Sequence, residues 1–350
     1  MAAAKQEIRF CTSPDGVRLA YATAGKGPPL VKAANWLSHL EYDWESPVWR
    51  RWLEEVTRDF RLVRYDNRGC GLSDRDAPLS FEAWVRDLET VVDAIGLERF
   101  ALLGASQGAP IAIAYAARHP ERVTHLVLHG SYARGFLKRD PTPQQREEAG
   151  AMRKLIELGW GKENPAFRQL FTTQFIPGGT PEQHAWFNEL ERVSTTPPIA
   201  ARFFGVLNEI DVCDVAPGVA CPTLVLHSRD DARVPFEEGR RVAGLIPGAR
   251  FVPFESRNHI LLETEPGYRR WFEEVRAFLG PASASREVLA GITARELELV
   301  ELIAQGLDNA QIAARLALSE KTVRNHITSI FAKLGVETRA QLIVRALNRG

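Results

Sequence analysis

Residues 100–118 restrict the fold more than any other stretch of this 350-residue chain. An apolar run, Phe100-Ala-Leu-Leu-Gly104, leads into Gly104-Ala-Ser-Gln-Gly108, and the helical pattern Ala109–Arg118 follows at once. A lone Gly-x-Ser-x-Gly is weak evidence. Between a strand and a helix, however, it describes a sharp turn that exposes the serine oxygen. Gly104 and Gly108 then remove side chains that would collide with the neighbouring strand and helix. A serine hydroxyl is a poor nucleophile near neutral pH, so Ser106 needs a base, and the base needs an orienting group.

Such groups lie downstream in the order Ser, Asp, His. Leu226-His-Ser-Arg-Asp-Asp-Ala-Arg-Val-Pro235 follows an apolar run and offers Asp230 and Asp231, and Ser256-Arg-Asn-His259 follows another and offers His259. His129 and His227 end predicted strands, where a structural role is the ordinary one. Residues 8–280 alternate β-type apolar runs with helical patterns, which predicts an α/β fold built on a parallel sheet. The predicted strands are Leu30–Ala34, Arg61–Tyr65, Phe100–Gly104, Thr124–Leu128, Thr223–His227 and Arg250–Pro253, with helices over Trp84–Ile95 and Gln107–Arg118. Residues 135–218 break the rhythm. They read as helical and carry Phe136, Trp160, Phe167, Phe171, Phe175, Trp186, Phe187, Phe203 and Phe204. This insertion is expected to lie over the sheet as a lid, with the aromatics facing the serine forming an apolar ligand pocket.

The length suits two domains. The expected division is a first domain over 1–280, a small polar linker over 281–286 and a second domain over 287–350. The N-terminal MAAAKQEIRF has no apolar leader core, and no run of about 18 apolar residues occurs, so a cytoplasmic protein without membrane attachment is expected. Cys11, Cys70, Cys213 and Cys221 are scattered and read as reduced thiols. The histidines lack metal-ligand spacing, and neither a metal nor another cofactor is expected.

The second domain reads as four helices. Thr293-Ala-Arg-Glu296 is a capping box for the first. Asp308, with Gln311 at its third position, opens the second. Ser319 caps a third that stops at Gly335, and Thr338 opens the last. On the third helix Val323, Ile327, Ile330, Phe331 and Leu334 form one apolar stripe. The opposite face carries Lys321, Asn325, Thr328 and Ser329, with Arg324 on its shoulder. Arg and Lys suit guanine or phosphate, and Asn suits adenine. The whole chain has zero net charge, while residues 286–350 hold nine Lys/Arg against seven Asp/Glu. So small an excess gives one copy weak phosphate affinity, and a homodimer would double the contacts. Taken alone, these residues also suit a helical dimerisation module with a solvated face.

Residues 8–280 resemble the α/β-hydrolase superfamily. Besides the serine turn and the acid and histidine loops, Asp66-Asn-Arg-Gly-Cys-Gly-Leu-Ser73 looks like that family's Asp-x-Arg-Gly-x-Gly-x-Ser turn. The resemblance implies a catalytic Ser106, Asp231 and His259, and places Asp231 rather than Asp230 in the acid role by its spacing to Pro235. It implies an oxyanion hole from the backbone N–H groups of Gln107 and Trp36. Two departures are visible: Ala34-Asn35 stands where the family has His-Gly, and Ser228 where a glycine is common.

Residues 291–347 resemble the LuxR-type helix-turn-helix domain, through Ile292-Thr-Ala-Arg-Glu296, Gly306-Leu-Asp-Asn-Ala-Gln-Ile-Ala-Ala314, Ser319-Glu-Lys-Thr-Val-Arg-Asn-His326 and Lys333-Leu-Gly-Val336. The resemblance implies a double-stranded DNA operator as partner, Lys321, Thr322, Arg324, Asn325 and Thr328 as the DNA-facing set, and Arg339–Arg345 as a dimer contact. The fold expected is therefore an α/β hydrolase with a helical lid followed by an all-α LuxR-type domain. The function expected is a ligand-responsive transcription regulator whose first domain binds, and hydrolyses, a small apolar ester or lactone. Two alternatives stand beside it: a pure receptor without turnover, and a conventional serine hydrolase using its tail only for assembly.

Overall fold

A computed structural model describes residues 5–162, 164–280, 293–304, 306–316, 318–336, 338–339 and 341–343. The chain forms two compact units, divided between Phe278 and Leu279. The expected linker, 281–286, lies outside the described residues.

The first unit is built on eight strands: β1 (Glu7–Thr12), β2 (Arg18–Ala24), β3 (Pro29–Lys32), β4 (Arg61–Tyr65), β5 (Phe100–Ala105), β6 (Val123–His129), β7 (Thr223–Ser228) and β8 (Arg250–Phe254). Their order is β1-β2-β4-β3-β5-β6-β7-β8. From β4 to β8 all pairs are parallel, whereas β2 runs antiparallel to both β1 and β4. All six predicted strands are present. The strand predicted over Leu30–Ala34 stops at Lys32, although Ala33 N–H still bonds the Leu103 carbonyl at 2.8 Å.

Helices α1 (Leu40–Trp44), α2 (Arg50–Asp59), α3 (Phe81–Ala94) and α4 (Gly108–Arg118) follow the early strands. The α3 helix starts earlier than its apolar pattern, because Ser80 caps it by accepting from Ala83 N–H. Every residue of α4 from Gly108 to Ala116 is buried, as expected of a helix apolar all round. Its packing explains the two glycines. A Cβ on Gly104 would meet Ala109 Cα at 2.7 Å, and one on Gly108 would meet the Ala33 carbonyl oxygen at 2.8 Å. The Asp66–Ser73 turn is a structural knot: Asp66 Oδ2 accepts from Leu72 and Leu40 N–H at 2.9 and 3.2 Å, and Ser73 Oγ ties Asp66 to β2.

Between β6 and β7 lie α5 (Pro143–Gly159), α6 (Pro165–Phe175), α7 (Pro181–Ser194) and α8 (Pro197–Glu209). Each begins with proline after a Thr or Asn cap, where the missing N–H costs nothing and the fixed φ suits a first turn. Trp160, Phe171, Phe175, Phe187, Phe203 and Phe204 are buried and continuous with the sheet core. Trp84 stacks on Phe203, with centroids 4.8 Å apart. Helices α9 (Phe236–Leu245) and α10 (Pro266–Leu279) flank the last strand.

The second unit contains α11 (Ala294–Ala304), α12 (Asn309–Leu316) and α13 (Glu320–Leu334) around a core that includes Leu299, Ile303, Ile312, Val323, Ile330 and Leu342. The capping pairs form as the sequence implies. Thr293 and Glu296 exchange bonds of 2.8 and 3.3 Å, Asp308 and Gln311 bonds of 2.9 and 2.8 Å. Ser319 Oγ accepts from Thr322 N–H, and Gly335 closes α13 at φ 60°. Thr338 and Gln341 bond reciprocally at the next helical turn. Of the final helix expected over 339–345, residues 340, 344 and 345 lie outside the described residues.

Among the described residues no helix is long and apolar enough to cross a membrane. The four cysteines are unpaired.

Candidate functional site

Ser106 stands between β5 and α4 at φ 51°, a left-handed conformation that a serine rarely adopts. Such strain persists where the surroundings enforce it. Here Ser106 N–H bonds the His129 carbonyl at 2.9 Å, while Ala109 N–H holds the Ser106 carbonyl at 3.0 Å. The side chain is thereby aimed into a cavity of about 320 Å³. His259 lines the same cavity. Its Nδ1 lies 2.8 Å from Asp231 Oδ2, and the Asp231 side chain is almost wholly buried. The other Asp231 oxygen accepts from Arg233 and Val234 N–H at 2.8 and 2.9 Å. Burial pushes the Asp231 carboxyl up, but the His259 charge and these bonds outweigh it and hold the group at about 2. A permanently ionised carboxylate fixes the imidazole tautomer, leaving Nε2 as the proton acceptor. Asp230, the alternative acid, is exposed. No hydrogen bond links Ser106 Oγ to His259 among the described residues.

Gln107 and Trp36 also line the cavity, and among the described residues neither backbone N–H has a partner. The Asn35 departure has a visible counterpart in β3. Lys32 Nζ donates to Asn35 Oδ1, and Asn35 Nδ2 donates to the Trp36 carbonyl at 3.1 Å. Burial, opposed by Asp43, draws the Lys32 ammonium down to about 8. Ser228, the second departure, donates to the Asn258 carbonyl at 2.8 Å and so braces the loop that carries His259. His129 donates from Nε2 to the His259 carbonyl at 3.1 Å, and His227 Nε2 lies 3.0 Å from the Val234 carbonyl. Both therefore brace the loops that carry Asp231 and His259.

Trp36 stacks on Trp160 of the lid at 5.3 Å, and Phe136, Phe175, Phe187 and Phe204 face the cavity. Sequence reasoning missed three cations on its walls: Lys32, Arg139 and Arg233.

On α13 Val323, Ile327, Ile330 and Leu334 of the apolar stripe are buried and Phe331 half-buried, while Lys321, Arg324, Asn325 and Thr328 are exposed. Among the described residues Lys321, Arg324 and Asn325 make no side-chain bond. Thr322 is half-buried, and its hydroxyl pairs with Ser319 at 2.8 Å. Ser329, expected on the free polar face, instead donates to Glu296 Oε1 at 3.0 Å, beside an ion pair of 2.7 Å from Lys333 to Glu296. It lies one helical step round from Thr328, far enough to turn it toward α11.

Residues 44–163 match the family model described as alpha/beta hydrolase fold, and residues 290–346 match that of bacterial regulatory proteins, luxR family. The 2-hydroxymuconate semialdehyde hydrolase of Pseudomonas putida is 30% identical over 211 residues, covering 57% of this chain and 70% of its own. The chain belongs to the α/β-hydrolase superfamily. It carries a LuxR-family DNA-binding domain behind the hydrolase domain. Another α/β hydrolase, the AB hydrolase superfamily protein YisY of Bacillus subtilis, is 28% identical, covering 71% of this chain and 91% of its own. An esterase from Exiguobacterium antarcticum superposes with a TM-score of 0.64 at 26% identity, covering 77% of this chain and 98% of that one.

Proposed function

We propose that this α/β hydrolase is a ligand-responsive transcription regulator whose sensor domain hydrolyses a small ester or lactone. Ser106 Oγ attacks the carbonyl carbon while its proton passes to His259 Nε2. Asp231 stabilises the imidazolium. The tetrahedral oxyanion is held by the N–H groups of Gln107 and Trp36. Collapse expels the alcohol, which takes the proton from His259. Water then repeats the sequence on the acyl-serine, releases the acid and restores Ser106. The observation that carries this reading is the strained Ser106 facing the same lidded cavity as a histidine bonded to a buried carboxylate. Placement on one chain with a LuxR-family domain supports a regulatory output.

A fluorophosphonate probe should label wild type, fail on Ser106→Ala and label His259→Ala weakly; equal labelling of Ser106→Ala would remove the nucleophile assignment. The unmade Ser106–His259 bond favours, as second reading, a receptor that binds without turnover. Catalytic hydrogen bonds often tighten only in the substrate complex, so operator binding discriminates better. Regulation requires ligand to change operator affinity, typically by about 5- to 150-fold, and operator to change ligand affinity equally. A Ser106→Ala protein that keeps this response without product formation supports the receptor; no response even in wild type leaves only the conventional hydrolase.

A further inference from the structure

The cavity above Ser106 is apolar in most of its wall, yet among the described residues its charged lining is three cations, Lys32, Arg139 and Arg233, against one carboxylate, the exposed Glu148. Arg233 is two residues beyond Asp231 and follows its loop, the backbone N–H of Arg233 bonding Asp231 Oδ1. Its position relative to the reacting centre is thus fixed. The half-buried side chain lies over Phe175, 5.7 Å from the ring centroid, and donates from Nη1 to Gln174 Oε1 at 3.1 Å. Gln174 is itself locked, since its amide nitrogen bonds the Leu170 carbonyl. No carboxylate pairs with Arg233 among the described residues.

Arg139 approaches from the lid. It spends Nε on the Arg134 carbonyl at 2.7 Å and lies over the Tyr132 ring, 5.6 Å from its centroid. The nearest carboxylate, Glu238, is 3.9 Å from Arg139 and is shared with Arg134 at 3.2 Å and Arg241 at 3.5 Å. Arg134 also reaches the fully exposed Asp140 at 3.9 Å, so three guanidiniums share one buried carboxylate and one solvated one, and the region stays positive. Burial lowers the tendency of both Arg139 and Arg233 to hold their protons; the Arg139 charge adds to this at Arg233 and the Arg134 charge at Arg139, against the opposing pull of Asp231 and Glu238. Guanidiniums stay protonated even so. Two desolvated, like-charged groups on one cavity wall are stable together when an anion comes between them.

We propose that the cavity takes a carboxylate-bearing ester or lactone, its carboxylate held by Arg233 and Arg139 beside Tyr132 and its carbonyl at Ser106. A planar carboxylate matches the guanidinium fork. A single charge is also the cheaper one to bring into so apolar a space, because desolvation cost rises steeply with charge. This deepens the hydrolase reading and rests on the same cavity, but needs only binding to be tested.

The probes are 4-nitrophenyl half-esters of succinic, glutaric and adipic acids, each with its terminal-amide counterpart. Binding to the full-length Ser106→Ala protein is followed by quenching of tryptophan fluorescence. At one chain length or more, the acid should bind about tenfold to a hundredfold more tightly than its amide, as hydrogen bonds to a charged group allow. Arg233→Met should reduce that ratio to near one, Arg139→Met should lower it partly, and Arg233→Lys should retain part of it. Amides binding as well as acids at every length, no binding by any probe, or a ratio unchanged in both methionine variants would overturn the assignment. Should Arg233→Met fail to fold, the acid-to-amide ratio of Ser106→Ala decides alone. Turnover by the otherwise wild-type protein is read separately. Selective binding without nitrophenol release removes the hydrolase reading and keeps the carboxylate site; release from acid and amide alike does the reverse.

Discussion

His259 rests on Gly130: a Cβ built there would lie 2.6 Å from its Cε1 and 3.0 Å from its Nδ1. The Gly130 backbone is also left-handed, at φ 54°. Gly130→Ala should therefore displace the imidazole from its place between Asp231 and the cavity. Misplacement of that size costs about 100-fold in rate. Gly96→Ala is the control, since Gly96 has φ 70° but nothing within 4 Å. Both variants bear the backbone cost of about 1–2 kcal/mol, and only Gly130→Ala should lose ester hydrolysis. Equal activity in the two would show that His259 tolerates movement.

The Lys32–Asn35–Trp36 chain of bonds predicts coupling. If Asn35 orients the Trp36 peptide and Lys32 orients Asn35, then Asn35→Ala and Lys32→Met remove one device. Each should lower kcat more than it raises KM, and the double variant should cost little more than the worse single one. Additive losses would show that the two act separately. One lost oxyanion donor costs about 100- to 1000-fold, so a misdirected one should cost less.

On α13, Arg324→Ala and Asn325→Ala should each weaken specific operator binding by about 1–3 kcal/mol if they read base edges. Lys321→Ala should weaken all sequences alike and reduce the salt slope by about one if it touches phosphate. Thr322 and Thr328 should matter less, because their hydroxyls already bond Ser319 and the Arg324 carbonyl. Filter binding across a salt series separates these outcomes.

Acid stability should depend on His129. Burial, reinforced by the nearby His259, draws His129 down to about 4. The folded protein thus keeps the ring neutral while the unfolded chain takes up a proton near the ordinary value of about 6.5. Stability is lost as pH falls through that interval, by at most about 3 kcal/mol from this residue. Urea unfolding at pH 7 and pH 4.5 should show a smaller loss for His129→Gln than for wild type. Asp231 acts outside that window, since its contribution disappears only as pH falls below about 3.8 toward 2.

The parallel strands were legible because most carry a buried apolar centre, Leu62-Val63, Leu102-Leu103, Leu126-Val127-Leu128 and Leu224-Val225-Leu226. The β1–β2 hairpin was not. β1 is an edge strand with only half-buried and exposed residues, Phe10 among them at 51% exposure, so no clean alternation marks it. Ser106, Asp231 and His259 could be found because each follows a recognisable strand end. Arg139 and Arg233 escaped notice, since a charged residue in a helical or loop segment ordinarily faces water. Lys32 did leave a signal, as the one charge inside the apolar stretch Pro29–Ala34. The four Thr-Pro or Asn-Pro steps that open the lid helices were equally open to reading, and would have set their boundaries.

The lid is one uninterrupted insertion, whereas Ser106, Asp231 and His259 all stand on loops of the sheet outside it. Of the two arginines that line the cavity, Arg139 belongs to the lid and Arg233 to the loop after β7. Replacing residues 135–218 as a block would exchange the lid side of the cavity, but His259 N–H bonds the Phe175 carbonyl of the lid at 2.9 Å, so the incoming segment has to return that acceptor for His259 to stay where it is. On the sensor function proposed above, new signals are within reach of this scaffold by transplantation of a single segment, provided the incoming helices restore that carbonyl and bring something for Arg233 to share.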